Sequence, residues 1–215
     1  MSVTTPYSVS EEIAHAITHG IGALLSISAL ILLLIVAVRY GDNWHLVSSI
    51  VYGSSLILLY SSSTLYHAIG KLKLKQRLRK LDHAAIFLLI AGTYTPFTLI
   101  NLRGNWGLTI FTLIWLIAIA GVIIELATGL KYKKLSLSLY LGMGWLVLLA
   151  IKPMLAHVAP NGLWLLLAGG LSYSFGVIFY TWKRLYMHHA IWHLFVLAGS
   201  VLHFLAVYYY VMPVA

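Results

Sequence analysis

Long apolar segments separated by short polar ones run along the whole chain. Seven of these segments lack interior charge, and each is close to the roughly 20 residues that a helix needs to cross a bilayer. They cover residues 21–38, 45–66, 84–100, 106–127, 135–151, 163–182 and 191–211. The segments are rich in Leu, Ala and Ile and lack the alternation of transmembrane strands. The pattern predicts an all-α integral membrane protein, a bundle of seven transmembrane helices that occupies residues 1–215 as a single domain.

The residues before the first apolar segment predict a further stretch of helix. Ser8 and Glu11 have the spacing of a capping box, so we expect a helix to begin near Ser8 and to lie along the membrane interface before the first span. The first eighteen residues contain no Lys or Arg. They therefore lack the basic region of a cleavable signal peptide, and we expect this end to be retained.

Composition narrows the class of protein further. Hydrophobic residues make up 61% of the chain and charged residues 9%, with a mean hydropathy of +0.92. Such a chain leaves no material for a separate soluble catalytic or DNA-binding module. The net charge of +9 is therefore attributed to loops beside lipid headgroups and not to nucleic acid. The absence of cysteine excludes disulfides, iron–sulfur clusters and thiolate zinc sites, so a metal ion would have to use His and carboxylate ligands.

The distribution of basic residues predicts the orientation. Eleven of the 14 Lys and Arg residues follow spans two, four and six, and the run at 71–80, interpreted as a loop, holds six of them. By the positive-inside rule the N-terminus lies in the cytoplasm and the C-terminus outside. This orientation is opposite to that of G-protein-coupled receptors. The last span also lacks a Lys on which retinal could form a Schiff base.

Several ionisable residues are predicted at one membrane depth. Because successive spans alternate in direction, the ends of even spans and the starts of odd spans share one face. This places together His67, Asp82, His83, His188, His189 and His193. Ionisable groups inside a membrane are costly, so each is by default a functional hypothesis.

A zinc site with an open position is one interpretation of this group. His189 and His193 are four residues apart on a helix, so both rings can reach one ion. A third imidazole from His67 would give the three-His set typical of catalytic zinc. Asp82 could then act as general base toward water, and Ser63, one turn before His67, could bind water or a substrate carbonyl. These residue types suit hydrolysis of an amide or ester.

Spacing alone leaves alternatives open. His15 and His19 have the same four-residue spacing, with Glu12 nearly one turn before. Histidines near a membrane interface also commonly bond only a backbone carbonyl or a headgroup. Haem ligation ranks below zinc, because haem needs a deep apolar slot between helices, whereas these histidines lie near one face.

Three short motifs carry a family resemblance. Ser63-Thr64-Leu65-Tyr66-His67, then Lys80-Leu81-Asp82, then His189-Ala190-Ile191-Trp192-His193 resemble the haemolysin III branch of the progestin and adiponectin receptor superfamily. The resemblance extends over nearly the whole chain. It includes Gly92, Pro96, His203 and the Glu12…His19 segment.

The resemblance implies a zinc ion held by His67, His189 and His193, with Asp82 holding a water at the metal and Ser63 nearby. Adiponectin receptors and alkaline ceramidases are wider relatives, which implies hydrolysis of a lipid amide whose chain lies between helices. His15 and His19 are not in the family's zinc set. We expect His19 to lie near the ligands or at the interface, and His15 to be solvated.

The sequence thus predicts a zinc-dependent hydrolase of a lipid amide or ester in the bacterial inner membrane, with a role in lipid homeostasis. Its expected partners are membrane lipids and, in a homo-oligomer, further copies of itself; no soluble partner is implied. One alternative is a non-enzymatic lipid sensor in which zinc joins spans two, three and seven. A pore-forming cytolytic protein ranks last, because the chain shows no charged stripe to line a channel. Glu125 is expected to pair with Lys131 or Lys133, or else to line the mouth of a cavity.

Overall fold

The protein is described by a computed structural model that covers residues 7–129 and 131–213. Within these residues the regular structure is entirely helical. The helices are α1 Val9–Tyr40, α2 Asn43–Ala68, α3 Leu72–Pro96, α4 Asn105–Thr128, α5 Lys133–Trp145, α6 Ile151–His157, α7 Pro160–Thr181 and α8 His188–Tyr210. Seven helical segments are long and apolar enough to cross a membrane, with α5 and α6 forming one of them. The predicted seven-helix, all-α architecture is confirmed.

Helix α1 begins where the capping box predicts. The Glu11 backbone N–H donates to the Ser8 hydroxyl at 3.3 Å, and the Ser8 N–H donates to the Glu11 carboxylate at 2.9 Å. The helix then continues unbroken for 32 residues, about 48 Å at 1.5 Å per residue. The expected stretch along the interface is wrong, because the first turns continue the span and bury His15 and His19 within the bundle.

The basic run predicted as a loop is helical from Leu72 onward, with Lys71 as the residue before the helix. Helix α3 begins at Leu72, twelve residues before the predicted start of the third span. Lys75 is buried on this helix, where its ammonium donates to the Tyr66 carbonyl at 2.8 Å. Charge ends an apolar run without ending a helix, since backbone hydrogen bonds continue through basic residues. Hydropathy therefore misplaced this boundary.

The fifth span is interrupted, and a side chain from α3 lies at the interruption. Between α5 and α6 the backbone tightens into a 3-10 segment, Leu146–Ala150. The Tyr94 hydroxyl donates to the Met143 carbonyl and accepts from the Val147 N–H, both at 2.8 Å. Tyr94 thus satisfies backbone groups next to the break, as transmembrane backbone requires. The span extends to His157, beyond the predicted end at residue 151.

The packing order brings the ends of α1, α2 and α8 together. Helices α1, α2 and α3 pack in succession, and α8 packs against both α1 and α7. Close approach of α2 and α3 depends on Gly92, where an added Cβ would collide with the Ser55 side chain. As the helices alternate in direction, the starts of α1, α3, α5 and α8 share one end of the molecule with the ends of α2, α4 and α7. We call this the N-terminal end of the bundle.

Candidate metal centre

The described residues include six buried histidines. The Nδ1 of His188 lies 3.1 Å from the Phe179 carbonyl, and the other five histidines meet at the N-terminal end of the bundle. None has more than 7% of its surface exposed. They are His15 and His19 on α1, His67 on α2, and His189 and His193 on α8. We call them the histidine cluster. The consecutive helices α1 and α2 and the distant helix α8 therefore bring imidazole rings into contact.

Three of these rings are arranged as metal ligands. His67, His189 and His193 each offer one ring nitrogen, and these nitrogens all lie within 4.8 Å of one another. The ring centroids of His189 and His193 are 4.6 Å apart, and both lie within 5.4 Å of that of His67. Small rotations of the side chains would bring three nitrogens to the roughly 2.0–2.1 Å at which imidazole binds zinc.

The polar atoms of the trio fit a cation. Among the described residues, His67 Nε2 and His189 Nδ1 are buried and have no hydrogen-bond partner. A buried nitrogen without a partner costs free energy, whereas a lone pair directed at a metal ion is satisfied. A set of neutral imidazoles suits borderline divalent ions such as Zn²⁺. The site can therefore hold a divalent metal ion.

Two of the three rings are hydrogen-bonded to side chains of α1. His67 Nδ1 lies 2.7 Å from Glu12 Oε2, and His193 Nδ1 lies 3.2 Å from Thr18 Oγ1. Contacts of this kind fix the orientation and tautomer of a metal-binding histidine and leave its other nitrogen for the ion. Glu12 is itself fixed by Lys75, whose ammonium lies 3.1 Å from Oε1. Glu12 and Thr18 thus orient the rings without belonging to the trio.

A second grouping of donors is less suited to an ion. Glu12, His15 and His67 also have ligand atoms within 4.8 Å of one another. Both oxygens of Glu12 are already engaged, one by the His67 ring and the other by the Lys75 ammonium. A cation placed there would compete with a buried ion pair. The trio on α2 and α8 is the better candidate.

The prediction for His15 is wrong, whereas that for His19 agrees with the structure. His15 is fully buried instead of solvated, with its ring centroid 4.6 Å from that of His67. Unbroken continuation of α1 into the bundle is the reason. His19 stacks on His193 at 3.5 Å, with 11° between the ring planes. A signal for this was available, because Glu12, His15 and His19 follow helical spacing along one face of α1.

No feature of the sequence indicated a contribution from Tyr7. Its ring stacks on that of His189 with centroids 5.2 Å apart, and its edge meets His15 at 4.8 Å. Burial raises the pKa of the Tyr7 hydroxyl well above its usual value, so the group stays neutral. Tyr7 covers the histidine cluster at the N-terminal end of the bundle.

Asp82 and Ser63 lie beside the trio without joining it. Both are buried, and both border a cavity that His189 and His193 also line. The Asp82 carboxylate does not belong to either group of candidate ligands among the described residues. It is therefore placed to contact a molecule in the cavity beside the metal candidate.

The cavity next to these residues extends into an apolar region of the bundle. It has a volume of about 140 Å³ and reaches from His193 to Tyr94, Trp145 and His203. A second cavity of about 420 Å³ shares those last three residues and continues to Trp164. The second volume is within the range typical of ligand sites, roughly 300–1,000 Å³. An amphiphile could place its polar group beside Asp82 and its chain in the apolar part.

Glu125 lines the same cavity. The expected ion pair with Lys131 or Lys133 is wrong, since among the described residues no basic side chain lies within ion-pair distance of it. The carboxyl group is 1% exposed and accepts a hydrogen bond from the Ser136 hydroxyl. Helix packing turns Glu125 inward, so the alternative prediction of a cavity lining is the one that the structure supports.

Glu12→Gln is expected to weaken metal binding about tenfold. Outer contacts to metal-bound histidines contribute roughly 10–100-fold in affinity, and Gln retains a hydrogen-bond acceptor while losing the charge. Competition with a calibrated zinc chelator measures the effect. Glu11→Gln is the matched control, because Gln also completes a capping box and Glu11 does not touch the trio. Equal affinities for the two variants would contradict an orienting role for Glu12.

Several known proteins are similar to this chain over most of its length. A family model described as Haemolysin-III related matches residues 7–204. "Hemolysin-3" of Bacillus cereus is 52% identical over 207 residues, covering 96% of this chain and 94% of the relative. "Hemolysin-3 homolog" of Bacillus subtilis (strain 168) is 48% identical over 208 residues, covering 97% and 98%. The human "Monocyte to macrophage differentiation factor" is 30% identical over 208 residues, covering 93% and 84%.

Proposed function

The chain belongs to the haemolysin III family of integral membrane proteins, and on that premise we propose that it is a zinc-dependent hydrolase of a lipid amide or ester. The observation that carries the proposal is the shared cavity. Two of the three imidazoles suited to a metal ion, those of His189 and His193, border this cavity together with a buried carboxyl group and a buried hydroxyl, and the space continues into an apolar region. A lipid has this combination of a polar reactive group and a long chain.

In this proposal His67, His189 and His193 hold the zinc ion. A bound Zn²⁺ would supply a Lewis acid that polarises a carbonyl group and makes water more acidic. Glu12 and Thr18 keep the His67 and His193 rings oriented through the 2.7 Å and 3.2 Å contacts at Nδ1. Tyr7 excludes bulk water from the N-terminal end, so a lipid would enter from the side of the membrane.

Asp82 and Ser63 act on the reacting groups. Asp82 accepts a proton from the water that attacks the lipid carbonyl carbon and passes it to the departing amine or alcohol. The Ser63 hydroxyl donates a hydrogen bond to the carbonyl oxygen as charge develops there. The C–N or C–O bond breaks, and the products are a fatty acid and the released amine or alcohol.

The location that we propose is the cytoplasmic half of the bacterial inner membrane. The basic residues at 71–80, 131–134 and 183–184 lie at the N-terminal end of the bundle, as the positive-inside rule requires of a cytoplasmic face. Lipids of the inner leaflet would then be the substrates.

Hydrolysis by the purified protein tests the proposal. Wild-type protein in detergent is incubated with a panel of N-acyl amides and acyl esters, and released fatty acid is measured by mass spectrometry. We expect release from at least one class, loss of release after chelation and recovery with added zinc. A protein that carries one zinc per chain and releases no fatty acid from the panel would contradict the hydrolase and favour a lipid sensor with structural zinc.

A further inference from the structure

The buried Glu125 carboxylate borders the cavity of about 140 Å³ and has an incomplete set of hydrogen-bond partners among the described residues. Glu125 on α4 is 1% exposed. The Ser136 hydroxyl on α5 donates to Oε1, whereas Oε2 has no hydrogen-bond partner among the residues that the structure describes. Burying a charged oxygen without a donor is costly unless a donor arrives from elsewhere. The position therefore suits a ligand that brings a hydrogen-bond donor.

Charged neighbours do not satisfy this carboxylate. Lys133 borders the same cavity, but its ammonium is not within ion-pair distance of Glu125. Lys80 lies close to the end of α4, where it donates to the Leu126 backbone carbonyl. Neither cation neutralises the free oxygen directly. A positively charged ligand group could do so.

Glu125 and the metal candidate face one continuous space. Its wall includes Glu125 on α4, Asp82 on α3, Tyr140 on α5 and Tyr180 on α7. All four residues line the cavity of about 140 Å³, as do His189 and His193. A single small headgroup could therefore contact Glu125 while a neighbouring bond lies beside Asp82.

We propose that Glu125, supported by Ser136, binds the protonated amine of a long-chain amphiphile whose chain occupies the apolar cavities. An ammonium group is attracted to a carboxylate by its charge as well as by hydrogen bonding, so the carboxylate favours an ammonium over a hydroxyl group. The Ser136 bond fixes one oxygen and directs the other toward the ligand. The inference rests on the proposed function only in that the cavity accepts a lipid, and it names the headgroup class for that site.

Direct binding of simple amphiphiles tests this subsite without any turnover. Radiolabelled tetradecylamine is bound to the zinc-loaded wild-type protein in detergent, and unlabelled tetradecanol serves as the neutral competitor of equal chain length. We expect the amine to bind more tightly than the alcohol. Glu125→Gln should weaken amine binding about tenfold and change alcohol binding less than about twofold.

Two further variants separate charge from folding. Lys133→Met removes a positive charge from the cavity and should strengthen amine binding, the opposite of the effect of Glu125→Gln. Glu11→Gln changes an acid outside the cavity and should leave both affinities unchanged. Zinc content and thermal stability of each variant confirm that the fold is intact.

Each result has a distinct meaning. Equal affinity of the wild-type protein for amine and alcohol, or equal losses of both in Glu125→Gln, would overturn the subsite. Amine selectivity that depends on Glu125 in a protein without hydrolytic activity would support the subsite and contradict the hydrolase. Hydrolysis that proceeds without amine selectivity would support the hydrolase and contradict the subsite.

Discussion

Replacing His189 and His193 together with Ala is expected to reduce bound zinc from about one ion per chain to nearly none. Two of the three candidate ligand rings are removed, and the third, His67, lies on a different helix. A single imidazole does not retain a zinc ion through purification, because structural and catalytic sites use at least three protein ligands. Elemental analysis of detergent-purified protein measures the change, and lipid hydrolysis should be lost with the metal.

The matched control for this experiment is His157→Ala. His157 is exposed on α6, where its Nδ1 lies 2.9 Å from the Pro153 carbonyl, and it lies outside the histidine cluster. It should keep one zinc per chain. Equal zinc content in the double variant and the wild type would overturn the assignment of the trio. It would favour the second group of candidate ligands, which includes Glu12 and His15. Absence of zinc from the wild type would overturn the metal proposal itself.

Asp82→Asn is expected to reduce lipid hydrolysis by about 10²–10⁴-fold while leaving zinc bound. General base catalysis contributes roughly that factor, and an amide cannot accept the proton from water. Metal content should persist because the Asp82 carboxylate lies outside the group formed by His67, His189 and His193. The initial rate of fatty acid release and elemental analysis of the same preparation measure the two quantities together.

Asp42→Asn provides the comparison for an acid far from the cavity. Asp42 caps α2 at the opposite end of the bundle and pairs with Arg103 at 3.3 Å. This variant should hydrolyse lipid at the wild-type rate. Retained activity in Asp82→Asn would reject the general base. Loss of zinc along with activity would instead make Asp82 a ligand.

Much of the architecture could be predicted from local pattern. Apolar length revealed all seven spans, and the spacing of Ser8 and Glu11 located the start of α1. The predicted helix boundaries were wrong where a helix continues through charged residues, as it does from Leu72. Hydropathy reports the environment of side chains and not the hydrogen bonding of the backbone. The interruption between α5 and α6 was also missed, since it depends on the Tyr94 hydroxyl from another helix.

The candidate site, too, could be predicted only in part from local pattern. Alternating spans and four-residue spacing were enough to predict that His67, Asp82, His189 and His193 share one depth. How each helix is rotated against its neighbours was not in the pattern, so burial of His15, the Glu12 contact to His67 and the cover by Tyr7 were missed. The partner of Glu125 was wrong for the same reason.

The sequence by itself therefore determined the membrane-spanning class, the number of helices and the set of ionisable residues at one depth, because these follow from segment length, composition and helical periodicity. Only the tertiary structure decided which imidazoles lie close enough to share an ion, which acids orient them and which carboxylate faces the cavity without a partner. Those properties depend on helix rotation and packing between segments up to about 180 residues apart. Helical periodicity determines which face of a helix a side chain lies on, and the packing of helices determines which residues that face contacts.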